Sequence, residues 1–222
     1  MPESSACYLF AGPTLSWGDG STLPVPPEIQ VLPPAQRGDV TTLVTNHAPA
    51  TLVLVDGKFH YCPAVGHVEL RKAIEKGWKV WGLGSMGAIR AYEMRNLGMR
   101  GFGQVYARFL EEEDFQDDEV TLLHEPDAPY RPLSEPLIHC RMALQALQTK
   151  GLLSSEQQET ITDHLKSRWY GERTLPLLAE QVRHYLAPSQ EGLLQETLTH
   201  FDLYRVKTHD LQTFLQQKRW DS

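Results

Sequence analysis

Two short runs of β-forming residues, LVLV at 52–55 and WKVWG at 78–82, enclose the segment VGHVELRKAIEKGW, whose apolar residues return at helical spacing. The first run is continuous and apolar, which suits a strand covered on both faces. Between the runs, Val65, Leu70, Ala73 and Ile74 fall on one helical face, and Gly77 supplies a stop. A strand, a helix and a strand within about thirty residues make a βαβ unit, which belongs to a right-handed parallel sheet. Further strands are predicted at 7–11 (CYLFA) and 104–107 (QVYA), and a second helix from Met86 to about Leu97, ending at Gly98. Residues 16–38 carry Pro24, Pro26, Pro27, Pro33 and Pro34 and read as a long irregular excursion. From Pro136 onward the pattern is helical, over 136–149, 155–169, 175–186, 190–201 and 208–219, with Thr174 and Pro176 opening the third of these. The expectation is an α/β fold: a Rossmann-like, mostly parallel sheet core over residues 1–150 and a helical C-terminal subdomain over 151–222.

Charge and cysteine usage narrow the function classes. A formal net charge of −7 argues against nucleic-acid binding, which rests on neutralising phosphates. Cys7, Cys62 and Cys140 are far apart with no CxxC pair, so neither a disulfide framework nor a zinc site is encoded. The N-terminus, MPESSACYLF, lacks the basic start and apolar run of a signal peptide, and no window reaches the ~18 apolar residues of a membrane span. A cytoplasmic protein with no membrane association is expected.

The stretch WGLGSMGAIR, 81–90, stands between a strand and a helix and admits two chemistries. Gly82, Gly84 and Gly87 match GxGxxG, a backbone cradle for a dinucleotide pyrophosphate. That use also needs an acidic residue about twenty positions on, and the sequence there, GFGQVYARF, has none. The alternative is a sharp turn that exposes Ser85 as a nucleophile, with the N–H groups of Met86 and Gly87 free to stabilise an oxyanion at the helix start. A bland alternative is that Ser85 caps the helix. Ligands of open parallel sheets bind beyond the carboxyl ends of the strands, which brings Thr14, Asp56 and Ser85 to one edge. On the helix after the turn, Arg90 and Glu93 are three apart and can pair. The acidic run EEEDFQDDEV, 111–120, reads either as a docking surface for a basic partner or as a solvated loop.

The segments FAGPTL, PPAQRGDV, LVLVDGKF, AVGHVELRKAIEKG, GLGSMGAIRAYEMRNLGMRGFGQVYARF, DDEV and YRPLSEP follow one another in the order seen in TfuA-like proteins, and the chain resembles that family over roughly residues 8–140. The resemblance implies a companion of YcaO enzymes in peptide backbone thioamidation. It implies hydrolysis of a thiocarboxylated ThiS-like sulfur carrier by a Ser–Lys pair, and help in engaging the precursor peptide. By motif, Ser85 matches the serine before Met-Gly-Ala, His67 and Glu69 match the outer residues of His-Lys-Glu, and Asp56 matches the Asp-Gly aspartate.

A thiocarboxylate is an acyl donor with a sulfur leaving group, so a serine, a base and an oxyanion site suffice, and no cofactor is required. The base is left open by the residues. Val68 stands where the lysine of His-Lys-Glu is expected, and Gly84 where the turn usually carries a second serine. Lys72, one helical turn beyond Val68, Lys58, just after Asp56-Gly57, and His67 are the candidates. Two readings follow: a serine-dependent thiocarboxylate hydrolase, or a non-catalytic adaptor joining a YcaO enzyme to peptide or carrier, which Val68 favours.

Overall fold

The computed structural model describes residues 6–58 and 62–221. Met1–Ser5 of the N-terminus and Phe59 of the LVLVDGKF segment lie outside them. Five strands form one sheet: β1 Cys7–Phe10, β2 Ile29–Leu32, β3 Thr51–Leu54, β4 Lys79–Gly82 and β5 Arg100–Gly101. Their order is β2-β1-β3-β4-β5 and every pairing is parallel.

Side chains alternate between the two faces of the sheet, as pleating demands. Tyr8, Phe10, Leu52, Leu54 and Val80 pack with helices α1 (Asp39–Asn46) and α2 (His67–Glu75). Their neighbours Leu9, Val53, Val55 and Trp81 face the other way, onto Leu211, Phe214 and Leu215 of α9 (Val206–Gln216). Both faces are thus covered, which is why β3 reads as a continuous apolar run. Helices α3 (Met86–Glu93) and α4 (Gln104–Glu111) meet through Ala88, Ile89, Val105 and Phe109. Helices α5 (Leu137–Thr149), α6 (Ser155–Ser167), α7 (Leu175–Arg183) and α8 (Glu191–Thr199) pack into a separate helical core. That core begins ahead of residue 150, and α9 leaves it to lie on the sheet.

Several elements differ from the expectation. QVYA at 104–107 is the first turn of α4, not a strand. Val105 and Phe109, four apart, bury one helical face, and the Asp210 carboxylate of α9 accepts from the N–H groups of Gln104 (2.8 Å) and Val105 (3.0 Å). A carboxylate on the first free amides of a helix stabilises that end. Within the proline-rich excursion, Ile29–Leu32 joins the sheet as the edge strand β2, and α1 follows at Asp39, where no helix was expected. Helix α3 stops at Glu93, and a 3-10 turn over Arg95–Leu97 carries the chain to Gly98.

Candidate active site

The strand order reverses between β1 and β3, the switch point where doubly wound sheets bind ligands. Two residues past β3, buried Asp56 accepts from Gly12 N–H (2.8 Å), Thr14 N–H (2.9 Å) and the Thr14 hydroxyl (2.6 Å). This fixes the ends of β1 and β3 together, so the expected meeting of Thr14 and Asp56 is present.

Ser85 follows β4 by a turn at Gly84, whose φ of +72° is a conformation few side-chain-bearing residues adopt. The turn sends α3 back over the end of β3 so closely that a β-carbon at Gly87 would collide with the Leu54 carbonyl. The glycine pattern therefore has a packing cause. Ser85 occupies the N-cap position of α3, but its side chain makes no capping hydrogen bond. The hydroxyl instead donates to the Val120 carbonyl at 3.5 Å, and the residue is buried.

The predicted oxyanion pair needs one correction. The Gly87 N–H is engaged with the Val55 carbonyl at 3.0 Å and is not free for a substrate. Met86 N–H has no acceptor among the described residues, and neither has Gly57 N–H, beyond the end of β3.

A second polar side chain converges on the same carbonyl. Lys207, in the first turn of α9, is 1% exposed, and its ammonium donates to Val120 at 2.9 Å. Burial pushes its pKa down to about 8; the Asp56 and Glu135 carboxylates work against the shift and Arg205 works with it. Sequence reasoning missed this lysine. The available signal was its place in VKTHDLQTFL: Lys207 shares a stripe with Leu211 and Phe214, four and seven residues on, and a lysine on an apolar stripe is costly without a purpose.

Ser85 and Lys207 line a cavity of about 400 Å³ that also takes in Asp56, Gly57, Lys58 and His124. Pro13, Leu122, Leu123, Pro126 and Tyr170 make its apolar wall. The Val120 carbonyl is held by the chain just before it. Arg173, 1% exposed, donates to the Asp118 carbonyl (3.0 Å) and carboxylate (2.6 Å), and Arg141 grips buried Glu119 with two bonds of 2.8 and 2.9 Å. The end of the acidic run, Asp118–Val120, is therefore turned inward, whereas Glu111–Asp114, Gln116 and Asp117 are exposed.

The remaining predicted residues lie elsewhere. Helix α2 turns Leu70 and Ala73 to the core, which leaves His67, Val68 and Lys72 at a separate surface depression beside Arg37 and Thr41. Neither Lys72 nor His67 lines the Ser85 cavity, so of the base candidates only Lys58 does. Glu69 is buried there, accepting from Gly66 N–H (2.8 Å) and Gly38 N–H (3.0 Å), and ties α2 to α1. Arg90 and Glu93 do pair, at 2.6 Å, and Glu93 also meets His67 at 2.8 Å. That trio lies on the outside of α3, where Arg90 also holds the Val65 carbonyl at 2.9 Å.

Sheet order and cavity define a doubly wound α/β protein with a buried serine and a buried lysine at the carboxyl edge of its sheet. The family model described as TfuA-like protein matches residues 56–174, just over half of the sequence, and the chain belongs to that family. The family is linked to YcaO thioamidation. The match spans Asp56, Ser85, Val120 and Arg173 but stops short of Lys207. No curated protein matches the chain. Among the described residues no helix is long and apolar enough to cross a membrane, and no group of three metal-ligating side chains comes together.

Proposed function

We propose that this chain hydrolyses the thiocarboxylated C-terminus of a ThiS-like carrier, delivering sulfur to a partner YcaO enzyme that thioamidates a precursor peptide. The observation that carries the reading is the convergence of two buried groups, the Ser85 hydroxyl and the Lys207 ammonium, on the Val120 carbonyl at one cavity. A buried lysine is expensive, and burial is what makes its amine a base near neutral pH.

In this reading neutral Lys207 takes the serine proton as the Ser85 oxygen bonds to the thiocarboxylate carbon. The amides of Met86 and Gly57 stabilise the oxyanion, and Lys58 offers positive charge to the anionic substrate. The carbon–sulfur bond then breaks, Lys207 returns the proton to sulfur, and hydrosulfide leaves. Water attacks the resulting ester with the same amine as base, releasing carboxylate and restoring the serine.

The test follows sulfide release and carrier mass with the purified protein. Ser85→Ala and Lys207→Met should each lower the rate by at least about 10³-fold. Unchanged rates would remove both residues from these roles. The adaptor reading rested on Val68, which is exposed and away from the cavity, so this departure does not weigh against turnover. Stimulation of a YcaO enzyme that persists in both variants would restore that reading.

A further inference from the structure

Behind Lys207 lies a set of buried polar groups that the proposed chemistry leaves unused. The N-cap residue of helix α9 is Arg205, whose side chain makes no capping bond, so the first amides of the helix need acceptors from elsewhere. The Lys207 N–H finds one in His139 of α5, donating to Nε2 at 3.4 Å. The other ring nitrogen, Nδ1, meets the Glu135 carboxylate at 3.0 Å. The second Glu135 oxygen accepts from Arg205 at 2.5 Å, and Arg205 also reaches Asp202 at 2.7 Å. Glu135, His139, Arg205 and Lys207 are all at most 5% exposed.

The bonding pattern fixes the ring. A carboxylate held by arginine can only accept, so Nδ1 carries the hydrogen and Nε2 presents a lone pair to the backbone of Lys207. We propose that His139 is a positioning residue: it caps the first turn of α9 through the backbone of Lys207, and the Glu135–Arg205 pair holds its ring in the tautomer that the cap requires. Burial keeps the ring neutral, moving its pKa down to about 4. Protonation would place an N–H against the Lys207 amide and a third cation beside Arg205 and Lys207. The groups facing Lys207 are then Asp56 after β3, Glu135 just ahead of α5, His139 in the first turn of α5, and Arg205 from its own approach, with Ser85 and Lys58 across the cavity.

The catalytic consequence rests on the hydrolase reading, but the test does not use turnover. In wild-type protein labelled with ¹⁵N-histidine, His139 should show the neutral Nδ1–H tautomer from pH 6 to 9; an Nε2–H or charged ring over that range overturns the proposal. Lysine ¹³Cε shifts, assigned with Lys207→Met, then report the Lys207 midpoint in two variants. His139→Gln supplies an acceptor where Nε2 stood and should keep the midpoint within about half a unit of wild type. His139→Asn keeps a donor toward Glu135 but places no acceptor where Nε2 stood, and should raise the midpoint by about one unit or more, toward an ordinary lysine. Equal midpoints in the two folded variants overturn the proposal, and where a variant does not fold the wild-type ring decides. If the wild type also hydrolyses thiocarboxylate, His139→Asn should lower kcat at pH 7 about tenfold with KM unchanged.

Discussion

Lys207 sets a conflict between stability and chemistry that can be measured. Its folded pKa is about 8 against 10.5 for an ordinary lysine, so between those values the unfolded chain binds more protons than the folded one. Stability from this group therefore rises with pH from about 8 to about 10.5, and the full cost of burial, about 3 kcal/mol, is present below 8. Lys207→Met should raise the melting temperature at pH 7, and the gain should shrink as the pH approaches 10. If the amine is the base, the hydrolytic rate should climb tenfold per unit below pH 8 and level above it. A flat rate between pH 6 and 9 would contradict that role. Ser85 was legible in the sequence because everything that presents it, Gly84 before and the helix after, is local. Lys207 was not, because its place at the cavity comes from a helix that packs back onto the sheet across α5 to α8. His67, Glu69 and Lys72 lie apart from the Ser85 cavity, since a helix adjoining a loop can still point away from it.

Among the elements, the strand–turn–helix from β4 to α3 is the least tolerant. Gly87→Ala drives a β-carbon into the Leu54 carbonyl, so either α3 or β3 must move. A loss of about 3 kcal/mol in a denaturant melt is expected, with disturbance of the Ser85 turn. Gly192→Ala in α8 is the control, because nothing lies within 4 Å of its new methyl group, and it should stabilise by about 0.5–1 kcal/mol. Helices α5 to α9 were the most readable elements, since their 3.6 period recurs one after another, whereas the eight-residue α1 and α4 were missed. Short strands were not. β5 has two residues and β2 four on the sheet edge, with exposed Val31 among prolines, so neither carries a pattern long enough to separate it from loop. QVYA misled for the same reason: its β-like composition is overruled by a helical pair, Val105 and Phe109, visible only when the window is widened.

At the scale of the molecule, α9 belongs to the sheet as much as any strand does. Leu211 and Phe214 are fully buried against it, each worth roughly 1.5–3 kcal/mol of burial, and Trp220 closes the same layer. Two or three such residues approach the whole stability of an ordinary domain, about 5–15 kcal/mol. A chain stopped after Arg205 should lose cooperative unfolding, seen as a broad thermal transition and loss of near-ultraviolet dichroism. The α/β class was predictable from the βαβ unit, whereas the covering of the second face by α9 was not, because a helix's apolar stripe does not name its partner. The distance along the chain between Ser85 and Lys207 also sets a timetable. A ribosome completes the strand–turn–helix long before it reaches the amine, so under the proposed function a nascent or clipped copy would carry an unarmed serine. Only a molecule in which α9 has closed onto the sheet brings the two together, so in the proposed hydrolase incomplete copies would be inert toward any acyl group they meet.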